Sequence, residues 1–202
     1  MLQSQGVVFK EDFTPPPGLH PDIACVLKDV MEVCELFNAE LGRSRTLDSG
    51  SHLEIVISVF YRLLSYSTLL CFQEMPAQDA IYHTGLLTLM VTIFLPRYGN
   101  RIIPYEPIAQ RIRYVIGTLL VDEHSSKEIF WLMMMCCIWL AGEADAEWLA
   151  LRTRDAAKDL GIETWEHASA VLENFPWLVN FHGDVGPLIW KSVLEGHLHE
   201  GI

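Results

Sequence analysis

Three segments, residues 51–72, 77–95 and 129–141, carry apolar side chains on nearly every face when wound at helical period, so none has a face to offer water. Rods of that kind must be surrounded by protein, and the chain supplies amphipathic helices to coat them at 21–41, 104–121 and 143–160. In the first of these, Ile23, Val26, Leu27, Val30, Val33, Cys34, Phe37 and Leu41 recur at helical spacing, and the pattern stops at Gly42.

The punctuation between segments belongs to helices as well. Ser51 with Glu54, and Ser125 with Glu128, match capping boxes, in which a hydroxyl and a carboxylate satisfy orphan backbone donors at a helix start. Pro76 and Tyr105-Glu106-Pro107 open two more helices, Gly161 suits a left-handed helix exit, and Thr164 and Asp184 are placed to cap the last two. No alternating run long enough for a strand is present. The expectation is an all-α, single-domain bundle over residues 21–202, with about eight helices around apolar central ones. Ahead of it, residues 1–20 form an extended arm, because Pro15-Pro16-Pro17-Gly18 cannot propagate a helix.

Charge and cysteine usage narrow the partners. A net charge of -12 opposes binding to phosphate backbones, which depends on Lys and Arg displacing counterions, so direct nucleic-acid binding is not expected. The five cysteines form no C-x-x-C pair and fall mostly in apolar runs, which suits a reducing, intracellular compartment and no structural zinc. The longest apolar run, Ile129 to Ala141, is shorter than the ~20 residues that cross a bilayer, so no membrane span is expected. The first residues lack a basic stretch followed by an apolar core, so no secretory signal is expected either.

The region 128–190 carries a recurrent order of pieces. These are Phe130-Trp131 to Trp139 on one helix, Trp148 and Arg152 on the next, the Leu160-Gly161-Ile162 exit, Trp165-Glu166, Phe175-Pro176-Trp177, and then His182-Gly183-Asp184, Gly186 and Trp190. In that order and spacing the chain resembles, over about residues 51–195, the C-terminal regulatory domain of fungal zinc-cluster transcription factors. The six-cysteine DNA-binding cluster of those factors has no counterpart in this sequence. The resemblance implies a helical domain active in dimerisation, effector response or activation, and a homodimer is a reasonable expectation from it. It implies no catalytic residues. A stand-alone copy could be a co-regulatory partner, a small-molecule sensor, or a fold recruited as a tailoring enzyme of fungal secondary metabolism.

Candidate chemistry is sparse. His83 falls on the apolar line Leu86, Leu87, Met90 and Phe94, so its imidazole is either a proton-transfer group beside a substrate or a core histidine bonded to a carbonyl. Ser58, Tyr61, Arg62, Ser65 and Tyr66 form a polar stripe on segment 51–72. That stripe faces a polar cavity, where Tyr61 and Arg62 would bind carbonyl oxygens of a ligand, or it faces water. Glu143, at the Gly142 break, is either an inward carboxylate with raised pKa or a partner for the next helix's positive N-terminus. Trp131 and Trp139 would stack on a ring-bearing ligand or fill the core. Asp122-Glu123-His124 and His197-Leu198-His199 have ligand types at spacings that do not converge on a helix, so no metal site is expected. Gly-rich phosphate loops, G-x-S-x-G and dinucleotide fingerprints are absent.

The functional expectation is therefore a cofactor-independent isomerase or epimerase. His83 and Glu143 would be its acid–base pair, and Tyr61, Arg62, Trp131 and Trp139 would hold a small apolar metabolite. The alternative is a non-catalytic co-regulator that dimerises or senses a small molecule without touching DNA.

Overall fold

The computed structural model describes residues 13–40, 49–66, 75–94, 106–118, 126–140 and 146–196. Among them the protein is an all-α bundle of nine helices: α1 Pro21–Glu40, α2 Ser49–Tyr66, α3 Ala77–Phe94, α4 Glu106–Thr118, α5 Ser126–Leu140, α6 Ala146–Asp159, α7 Trp165–Leu172, α8 Val179–His182 and α9 Gly186–Glu195. The one beyond the expected count is α8, a single turn.

Two of the three apolar rods sit at the centre as their composition requires. Every residue from Asp79 to Val91 of α3, and from Phe130 to Trp139 of α5, is buried. The two helices pack along each other, and α6 closes the far side of α5 while α2 and α4 flank α3. The closest approach is at Gly85, where a Cβ would lie only 2.4 Å from the indole of Trp131, so this position requires the absence of a side chain. Trp131 is held there from the other side, stacked on Phe175 at 5.4 Å with its Nε1–H donating to the Pro176 carbonyl at 3.1 Å.

The third rod, α2, is not enclosed. Glu54, Ile57, Ser58, Tyr61 and Ser65 are exposed along one side of it, while Val56, Val59 and Leu63 are buried against α1 and α3. Its polar stripe won over its apolar average, and α2 belongs to the outer layer.

The caps hold in part. Thr164 accepts the His167 N–H at the start of α7, and Gly161 takes the left-handed conformation, φ +66°, that closes α6. Ser51 is not the α2 cap, because the helix begins two residues earlier at Ser49. Asp184 does not cap α9, whose N-cap is Val185 with no side-chain bond; Pro187 in its first turn needs no donor partner. Ser125 lies outside the described residues.

The described part of the arm, residues 13–20, lies against the bundle: Leu19 is buried, Phe13 packs on the core, and the non-helical path between them turns at Pro17–Gly18, where Gly18 has φ +89°. Asn38 ties the opposite end of α1 to the Trp177–Val179 segment, donating to the Trp177 carbonyl and accepting the Val179 N–H, both at 2.8 Å.

Candidate functional site

The α2 stripe faces water. Tyr61 is 72% exposed, and the Arg62 guanidinium pairs with Asp29 of α1 and donates to the Cys25 sulfur. Asp29 is also the main reason the Arg62 pKa is raised. Neither residue lines an interior space, since Tyr61 faces solvent and Arg62 is engaged on the surface by α1.

Trp131 and Trp139 are core side chains, fully buried within α5. Trp131 spends both faces and its N–H on protein, lying against Tyr82 at 5.8 Å and on Phe175. The Trp139 indole N–H makes no hydrogen bond. Cys136 and Cys137, beside it on the same helix, are buried thiols whose pKa values are raised by that burial, Cys137 to about 12, so neither is a thiolate nucleophile. Glu143 lies outside the described residues, as does Cys71.

His83 is different. It is completely buried on α3, and its Nε2 lies 2.8 Å from the Leu63 carbonyl near the end of α2. A carbonyl only accepts, so Nε2 carries the proton and donates, which leaves the lone pair on Nδ1. Nδ1 is buried and makes no hydrogen bond. Burial first, and then the charge of Arg111, lower the imidazole pKa to about 4, against the opposing effect of the Leu63 bond. His83 is therefore neutral at pH 7.

Arg111 is the residue that sequence reasoning missed. It is fully buried on α4, its Nε donating to Thr84 Oγ1 at 3.0 Å and Nη2 reaching Met75 Sδ at 3.7 Å. Burial lowers its pKa to about 10, which still leaves it a cation at neutral pH. The signal was present in the sequence, because Arg111 falls on the line Ile108, Arg111, Ile112, Val115, the buried side of α4. Arg111 is thus a buried cation whose charge acts on the neutral imidazole, and the Leu63 bond gives His83 the carbonyl partner expected of a core histidine.

On its outer side the His83 ring is followed by two more rings in succession. The Tyr66 ring lies 5.7 Å from the His83 ring, and the His20 ring, itself 44% exposed, lies 4.7 Å from Tyr66. Asp79, a buried carboxylate one turn before His83, accepts the His20 main-chain N–H at Oδ1, 2.9 Å, and the Tyr66 hydroxyl at Oδ2, 3.2 Å. Burial, and then Asp79, hold the phenol pKa above its usual value, consistent with Tyr66 as donor.

Away from His83, a cavity of about 20 Å³ lies among Val30, Cys34, Phe37, Val56, Val59 and Leu178. Pockets for small ligands run to ~300–1,000 Å³ and carry a few polar groups, so a space this small and wholly apolar orients nothing. Among the described residues, no three His, Cys, Asp or Glu side chains converge as a metal site. No helix there is long and apolar enough to cross a membrane. Comparison of the chain with known protein families, with curated proteins and with solved structures finds no match.

Proposed function

We propose that this chain is a ligand-binding helical domain of regulatory type, similar to that of fungal zinc-cluster factors, which takes up a small, largely apolar molecule at His83 and Arg111 and signals through partners without touching DNA. The observation that carries this reading is the unpaired lone pair of His83 Nδ1. Leaving a buried acceptor unsatisfied costs about 1–3 kcal/mol, and a ligand O–H or N–H beside it would recover that cost. Arg111 would take the adjacent oxygen, which points to lactams, hydroxyketones and enolised diketones as a class.

An imidazole with a pKa of about 4 is a weak proton acceptor, well below the working pH at which general bases are most effective. That favours a hydrogen-bonding role for His83 over full proton removal. The second reading, cofactor-independent isomerisation or epimerisation next to a carbonyl, is favoured by Arg111, whose buried cation is suited to stabilise an enolate-like oxygen. In that reading a carboxylate such as Glu143 is the proton acceptor.

Thermal-shift screening of a panel of small apolar lactams and diketones in deuterated water separates the two, with recovered compounds examined by mass spectrometry. Binding with compounds returned unchanged supports the regulatory domain. Deuterium at the carbon beside the carbonyl supports the isomerase, and no shift across the panel, or an equal shift in His83→Leu, overturns His83 as the binding group.

A further inference from the structure

Among the described methionines, Met31, Met90, Met133, Met134 and Met135 are buried, and Met75 alone is partly exposed. It stands just ahead of α3, before Pro76, whose carbonyl accepts the Ala80 N–H. Its sulfur lies 3.7 Å from Nη2 of Arg111, and Nε of the same guanidinium donates to Thr84 Oγ1 at 3.0 Å. The Thr84 bond is buried and the Met75 contact only partly so, which leaves the Met75 side chain between solvent and a buried cation. We propose that Met75 is an oxidation site, converted by a peroxide to the sulfoxide, whose oxygen Arg111 then holds. The site stands whether or not His83 takes a ligand.

The Met75 sulfur lone pair attacks one peroxide oxygen, and the O–O bond breaks as the S–O bond forms. The thioether loses two electrons to the peroxide, and the proton of the transferred hydroxyl passes to the leaving oxygen, which departs as water or an alcohol. A thioether is a weak acceptor, so Arg111 gains little from the sulfur as it stands. A sulfoxide oxygen is polar, and a cationic donor makes a shorter and stronger bond to such an acceptor. Methionine oxidation ordinarily disrupts a core by making an apolar side chain polar, and Met133 to Met135, inside the wholly buried run of α5, are placed for that outcome. At Met75 the new oxygen instead meets a donor already fixed by Thr84. The oxidised chain therefore stays folded, and the change reaches α3 at Thr84, the neighbour of His83.

Limited exposure of the folded chain to hydrogen peroxide, followed by peptide mass mapping, measures the selectivity directly. Met75 should gain its oxygen about tenfold faster than Met31, Met90 and Met133 to Met135. In chain labelled with nitrogen-15 at arginine, the Arg111 N–H signals should move downfield in step with Met75 oxidation, and the urea midpoint of the singly oxidised chain should not fall. Met75→Leu, which keeps an apolar side chain of similar size, should abolish the peroxide-dependent movement of those signals. Buried methionines oxidised as fast as Met75 would overturn the proposal. So would Arg111 signals that stay fixed at full Met75 oxidation, a lowered urea midpoint on oxidation, or signals that still move with peroxide in Met75→Leu.

Discussion

At the scale of single residues, His83 is where pH acts on this fold. Its pKa is about 4 in the folded chain and near 6.5 when unfolded, so between these values the unfolded state binds the extra proton. Stability is therefore full above about pH 6.5, falls as the pH drops through the interval, and levels once the folded imidazole also protonates. Urea titrations at pH 6.5 and pH 5 should differ by about 2 kcal/mol, and His83→Gln should remove most of that difference. Arg62 offers the contrast. Its pairing with Asp29 is on the surface, so Arg62→Ala should cost no more than about 1 kcal/mol in the same titration. The burial of His83 was legible from the apolar line it shares with Leu86 and Met90. That it would bond a carbonyl was one of the two alternatives open in the sequence; which carbonyl was not legible, because a main-chain group twenty residues away leaves no mark on side-chain patterning.

Helices carried most of what could be read in advance. The period of α1, α3, α5 and α6 places them within a few residues of where they lie, since a buried helix face must be apolar at every turn. The place of α2 was not legible from its mean character; its five polar or exposed positions decide which side meets water, and they outweigh the apolar majority. Caps proved less readable than rods, because Ser51 and Asp184 have the right chemistry one or two residues from the true helix start. The α3–α5 crossing supplies a sharp test at this scale. In Gly85→Ala the added methyl meets the Trp131 indole, which Phe175 and Pro176 prevent from retreating, and the cost should be about 1–3 kcal/mol, accompanied by a changed near-ultraviolet dichroism of the tryptophans.

For the whole molecule, a net charge of -12 on 202 residues means that folding gathers like charges together. Raising the salt from 0.05 to 0.5 M should therefore stabilise the chain, by on the order of 1 kcal/mol, as read from urea midpoints at pH 7. The same charge argues that added duplex DNA leaves the chain's mobility unchanged at physiological salt. The all-helical class followed from the helical period of the apolar and amphipathic segments and the absence of strand alternation. The candidate site did not, because it joins α2, α3 and α4 with the arm through His20, Tyr66, Asp79, His83 and Arg111, residues whose meeting is a property of the tertiary packing. The most direct measurement is nitrogen NMR of the chain labelled at histidine, titrated with the lactam and diketone panel. The account predicts a protonated Nε2 and an unprotonated Nδ1 at His83, with the Nδ1 signal moving upfield as a ligand donates to it. A His83 protonated at Nδ1, or Nδ1 signals that stay fixed while a compound binds, would contradict it.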